Sequence, residues 1–177
     1  TQGAVHLFLG RGGGEFALSA DQILYGEAPT EGEDGEEEWT GVRDARFGSY
    51  LAAGDFDGDD LCDLAAYGIS PTGDGNHGYV ALHRGRAGVE RDRGGVEEHA
   101  GLRLSGLIEG DLNGRLGRFL AFGDFDGDGK DDLVVTHPHS TVMERADAGS
   151  AYIILGRRLS AMPAREDQFP IDLADRT

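Results

Sequence analysis

The chain has 177 residues, 38% of them hydrophobic, which is enough for a core of its own and too apolar for wholesale disorder. A formal charge of −17, from 33 acidic against 16 basic residues, repels phosphate backbones and argues against nucleic acid, leaving cations as the natural counterpart. No apolar run approaches the ~20 residues of a membrane helix, so membrane insertion is not expected. Cys62 is the single cysteine, which rules out an intrachain disulfide.

Thirty glycines against five prolines, with no long apolar helical stripe, predict short strands joined by tight turns. The chain opens on Thr1 with neither a methionine nor a signal peptide, which reads as a processed product or part of a longer chain. The first predicted strand lies in Gly3-Ala4-Val5-His6-Leu7-Phe8-Leu9-Gly10-Arg11, and a second candidate is Gln22–Tyr25. An acidic run, Glu31 to Glu38, follows and reads as a solvated loop.

The segment from Arg46 through Phe47-Gly48 to Asp59 then aligns without a gap on the segment from Arg115 through Leu116-Gly117 to Asp128, 69 residues further on. Each copy continues through an aspartate-leucine pair, Asp63-Leu64 and Asp132-Leu133, into an apolar run. Each is followed by a strand patterned like the opening one: Gly78 to Arg86, and Gly149 to Arg157. Leu102–Leu107 and Phe169–Leu173 are the candidates for a last strand in each unit. The runs Leu133–Val135 and Ala151–Leu155 read as buried on both faces.

About four short strands recur per unit of roughly 70 residues, which favours the blades of an all-β propeller over a helical solenoid. The expected organisation is one propeller segment, 1–177: a partial blade over 1–30, a blade over 40–107 and a blade over 115–177. A duplicated β-sandwich is the bland alternative.

Chemistry concentrates in two loops between strands. Carboxylates fall at Asp55, Asp57, Asp59 and Asp63 in the first, and at Asp124, Asp126, Asp128 and Asp132 in the second. Positions one, three, five and nine thus offer hard oxygen ligands, and position seven, Leu61 or Lys130, can offer its backbone carbonyl. Calcium takes six to eight oxygens at about 2.3–2.6 Å in a flexible shell, so two calcium sites are expected; magnesium suits the pattern less because it demands a rigid octahedron. Gly58 and Gly127 sit where the chain must turn tightly for alternate carboxylates to converge. Position twelve, Ala66 or Val135, lacks the glutamate of a helix-loop-helix calcium loop. Phe56 and Phe125 read as plugs anchoring each loop to the core, and Cys62 as a core-facing structural thiol.

The stretch from Phe47-Gly48 through Gly54-Asp55-Phe56-Asp57-Gly58-Asp59 to Asp63-Leu64 resembles the FG-GAP repeat of integrin α-subunit propellers and their bacterial relatives. The second unit departs from it in having Leu116 for the motif's phenylalanine, and the motif's Gly-Ala-Pro ending survives only as Thr136-His137-Pro138. The resemblance implies a β-propeller, usually of seven blades, with calcium between the first two strands of a blade. It also implies an extracellular or cell-surface recognition or adhesion module with a protein or carbohydrate ligand. At roughly 70 residues per blade, other units or chains are needed to close such a ring. The alternatives are a sugar-binding propeller, for which Trp39 and Tyr79 are weak hints, and a propeller attached to a polysaccharide- or phospholipid-degrading enzyme. No serine elbow or phosphate-binding glycine loop points to catalysis. His137 and His139 flank Pro138 at a zinc-compatible spacing without an identifiable third ligand.

Overall fold

The structure is a computed structural model and describes residues 3–8, 20, 22–25, 46–69, 78–85, 103–109, 115–161 and 171–172. The acidic run 31–38 and Trp39 lie outside the described residues.

Ten strands and one short helix make up the described chain, and the sheets are almost entirely antiparallel. A first sheet pairs β1, Ala4–Leu7, with β2, Gln22–Tyr25. The second runs β3, Leu51–Gly54; β4, Asp63–Ile69; β5, Gly78–Arg84; and β6, Arg103–Glu109, in chain order as an antiparallel meander. The third runs β7, Leu120–Gly123; β8, Asp132–His137; and β9, Ser150–Ile154. A single turn and a half of helix, α1, Gly156–Ser160, follows β9 and buries Leu159. These are partial propeller blades, the middle one showing all four strands.

The last strand, β10, Ile171–Asp172, departs from expectation. It pairs in parallel with β6 of the middle sheet, Ile171 opposite Ile108, instead of extending the third sheet beyond β9. Pairing an open edge satisfies backbone groups that would otherwise need water, whichever unit the strand comes from.

Repeat equivalence holds at backbone level. Before β3 and β7 the chain turns through Arg46 and Gly48, and through Arg115 and Gly117, all four at positive φ. Gly48 N–H donates to the Tyr67 carbonyl at 2.9 Å, and Gly117 N–H to the Thr136 carbonyl at 2.8 Å. These glycines are also close-approach positions: a Cβ at Gly48 would lie 2.7 Å from Val5, and one at Gly117 2.6 Å from Val80. Each turn therefore seats against the third strand of the unit before it.

Strand alternation sends the middle sheet's side chains to two seams. Leu64, Ala66, Tyr79 and Ala81 meet Val5, Leu24 and Phe47 on one side. On the other, Phe56, Ala65, Tyr67, Val80 and Leu82 meet Leu116, Leu120, Leu133, Val135 and Ile154. Burying a side chain of this size contributes about 1.5–3 kcal/mol, so each seam is a substantial interface between neighbouring units.

The reading of Ala151–Leu155 as buried on both faces does not hold. Ala151 and Ile153 are exposed while Ile154 is buried, because only one face of β9 has a neighbour among the described residues. Leu133 and Val135 are buried as expected, with Val134 between them half-buried on the open face. Cys62 is exposed instead of facing the core: Asp63 next to it points inward, and period-two alternation sends its neighbour out.

Candidate metal centres

Each loop is wound around its first aspartate. Asp55 Oδ1 accepts N–H bonds from Gly58 at 2.7 Å and Asp59 at 3.1 Å, and its Oδ2 accepts one from Asp60 at 2.9 Å. Asp124 repeats the pattern with Gly127 at 2.7 Å, Asp128 at 3.2 Å and Gly129 at 3.0 Å. This winding needs left-handed backbone at position four, Gly58 and Gly127, both at φ +76°. Position six is left-handed too, and there the first loop carries Asp60, the second Gly129.

The winding turns alternate carboxylates to one point. Asp55, Asp57 and Asp59 bring one oxygen each within 4.8 Å of one another, and so do Asp124, Asp126 and Asp128. Leu61 and Lys130 enter the loops through their N–H groups, each donating at 2.9 Å to Asp59 or Asp128.

Position nine has a further task. Asp63 is buried and its two oxygens accept N–H bonds from Phe56 at 2.9 Å and Gly85 at 2.8 Å. Asp132, also buried, takes Phe125 N–H at 2.9 Å and Gly156 N–H at 2.8 Å. The carboxylate thus staples the loop's second residue to the end of the unit's third strand. Each oxygen retains a lone pair that a cation could use. Gly85 and Gly156 allow this closeness, since a Cβ there would lie 2.6 Å from the Cys62 carbonyl or 2.7 Å from the Asp131 carbonyl. The sequence shows both glycines in register, a signal that marks them as part of the loop architecture.

Burial pushes Asp63 up to about 6, against the opposing pull of the Gly85 and Phe56 N–H groups. Asp57 is also raised, first by burial and then by the Asp59 and Asp55 charges, while Arg84 works the other way. Arg84 Nε lies 3.2 Å from Asp57 Oδ2, and the guanidinium stacks over Phe56 at 5.7 Å from the ring centre. In the second loop Arg157 pairs with Asp126 Oδ2. Neither arginine was a candidate from sequence, because the two occupy different positions in their units, one before and one after the strand-end glycine.

Asp57 Oδ1 is buried and has no hydrogen-bond partner among the described residues. Three convergent carboxylates, one of them holding an orphaned oxygen, fit a hard divalent cation with oxygen preference.

The two aromatic plugs part company. Phe56 is fully buried and stacks on Phe122, ring centres 6.2 Å apart. Phe125 is 59% exposed and plugs nothing among the described residues, because the seam it would fill has no neighbour there. Tyr79, a hint of a sugar platform, is buried against Phe47 and cannot stack on a ligand. His137 is buried in β8 while His139 is exposed and pairs with Asp147, so the two rings occupy separate environments. No helix among the described residues is long and apolar enough to cross a membrane.

A search of curated proteins found no match to the chain. Residues 116–154 match the family model of the FG-GAP repeat, a span that runs from the turn before β7 through the second aspartate loop to the end of β9. The match identifies this unit as an FG-GAP repeat, and with the antiparallel sheets beside it supports a β-propeller of the FG-GAP type.

Proposed function

We propose that the chain is a calcium-stabilised propeller module of extracellular recognition or adhesion, with one structural calcium in each aspartate loop. The observation that carries the metal half is the convergence of the Asp55, Asp57 and Asp59 oxygens, repeated in Asp124, Asp126 and Asp128. Like charges at this spacing repel, and a dication between them removes the repulsion. Asp63 and Asp132, with the carbonyls of Leu61 and Lys130, complete the proposed ligand sets. The recognition half rests on the resemblance to FG-GAP propellers. The ligand class is a protein or a carbohydrate.

The same reading has further units of the repeat covering the face of Phe125, Val134 and Ile153. In support, the equivalent face of the middle sheet, Phe56, Ala65 and Leu82, is fully buried against its neighbour.

Titration with calcium chloride tests the metal sites. Two calcium ions per chain are expected, reduced to one by Asp126→Ala. Millimolar calcium at a dissociation constant of about 0.1–1 mM adds roughly 0.4–1.4 kcal/mol per site. A melting midpoint that calcium leaves unchanged would overturn the structural role.

A further inference from the structure

We infer that Lys130, which belongs to the second aspartate loop by sequence, sets the calcium affinity of the first. The inference rests on the calcium reading above.

The two loops touch through consecutive residues of the second. Asp131 N–H donates to the Asp55 carbonyl at 2.8 Å, and Asp55 N–H donates back to Asp131 Oδ2 at 2.9 Å. This two-bond bridge fixes position one of the first loop to the neighbouring unit. Beside it, the Lys130 side chain crosses the seam and its ammonium donates to the Asp57 carbonyl. The stem runs along Gly58: a Cβ there would lie 3.3 Å from Lys130 Cγ and 3.6 Å from Nζ. The ammonium therefore sits among positions three and four of the first loop. Its own loop receives its backbone N–H, through Asp128.

A cation in that place weakens calcium binding. Its attraction to the carboxylates is present with and without the metal and cancels. What remains is its repulsion of the dication. A unit charge ~6 Å from a dication in a water-like medium changes binding about tenfold, and physiological salt trims that to a few-fold. The loss of one hydrogen bond works the other way and is the smaller effect, because the Asp131 bridge still holds the loop in place.

Isothermal titration of the full chain with calcium chloride tests this in two single-site backgrounds. Asp126→Asn leaves the first loop to be read, and Asp57→Asn the second. Adding Lys130→Met is expected to tighten the first loop about three- to tenfold, more than it changes the second. The gain shrinks as sodium chloride rises from about 20 mM to about 500 mM. Lys130→Arg keeps the charge and restores the original affinity, which a merely structural role of the lysine stem would not require. Lys130 is the chain's only lysine, so acetylation of the folded chain removes the same charge if Lys130→Met fails to fold. A first-loop affinity that stays constant or weakens, or a larger change at the second loop, overturns this inference alone. Absence of calcium binding to the unsubstituted chain overturns the calcium reading and this inference with it.

Discussion

The first and second aspartate loops have nearly the same sequence and nearly the same backbone, yet several equivalent positions in and beside them have different surroundings. Phe56 is fully buried and Phe125 is 59% exposed. A Cβ at Gly54 would lie 2.5 Å from Phe122, whereas the nearest atom to one at Gly123 is 3.6 Å away, on Phe125. Conversely, Leu120 at the start of β7 is buried and its counterpart Leu51 is 46% exposed. Among the described residues the middle unit packs at a seam on each face, and the third unit only at the seam it shares with the middle one. Inside a unit the structure depends on local spacing; between units it depends on what stands next door.

The largest test of that contrast is a matched pair of truncations. Phe56→Ala should cost about 3–5 kcal/mol, as expected for a buried aromatic in a packed seam. Phe125→Ala should stay within about 0.5 kcal/mol, as for an exposed position. Urea unfolding of both variants measures the difference, and equal costs would break the comparison.

The staples should behave alike where the plugs do not. Asp63→Asn and Asp132→Asn each turn one acceptor oxygen into a donor facing a backbone N–H, and each is expected to cost about 1–3 kcal/mol. Unequal costs in denaturant melts would show that the seam, and not the loop, sets the staple's value.

Acidity sharpens the contrast between the metal-free and calcium-loaded states. With its folded pKa raised to about 6, above an unfolded value near ~3.9, Asp63 makes the metal-free folded chain hold more protons between those limits. Its contribution favours folding below ~3.9 and is lost as pH rises through 6. The contribution expected of the proposed calcium sites runs oppositely: ligand carboxylates must be ionised, so it fades as pH falls. Melts from pH 7 to pH 4, with and without added calcium, should converge on the acid side. A calcium increment independent of pH would sink this account.

The smallest effect expected is at position six, where Asp60 at φ +64° stands for the Gly129 of the second loop. Asp60→Gly relieves left-handed strain but loosens the unfolded chain, for a net gain of about 0.5 kcal/mol. A loss of stability on this change would mean that the Asp60 side chain holds the loop in a way the second loop does without.

The sequence by itself determined whatever is periodic and local. The 69-residue offset located both loops, alternate aspartates forecast four converging carboxylates in each, of which three share one point, and strand patterning placed β1, β2, β4, β5, β6, β8 and β9 close to where they lie. Such features follow from a few residues and their own backbone, so one copy predicts the other. What only the tertiary structure decided is what long-range packing brings together: within a unit, the arginines on Asp57 and Asp126; across a seam, the burial of Phe56 against the exposure of Phe125, the pairing of β10 with β6, and the reach of Lys130 into the first loop. Burial and long side-chain reach depend on which surfaces meet, and two identical motifs can meet different neighbours.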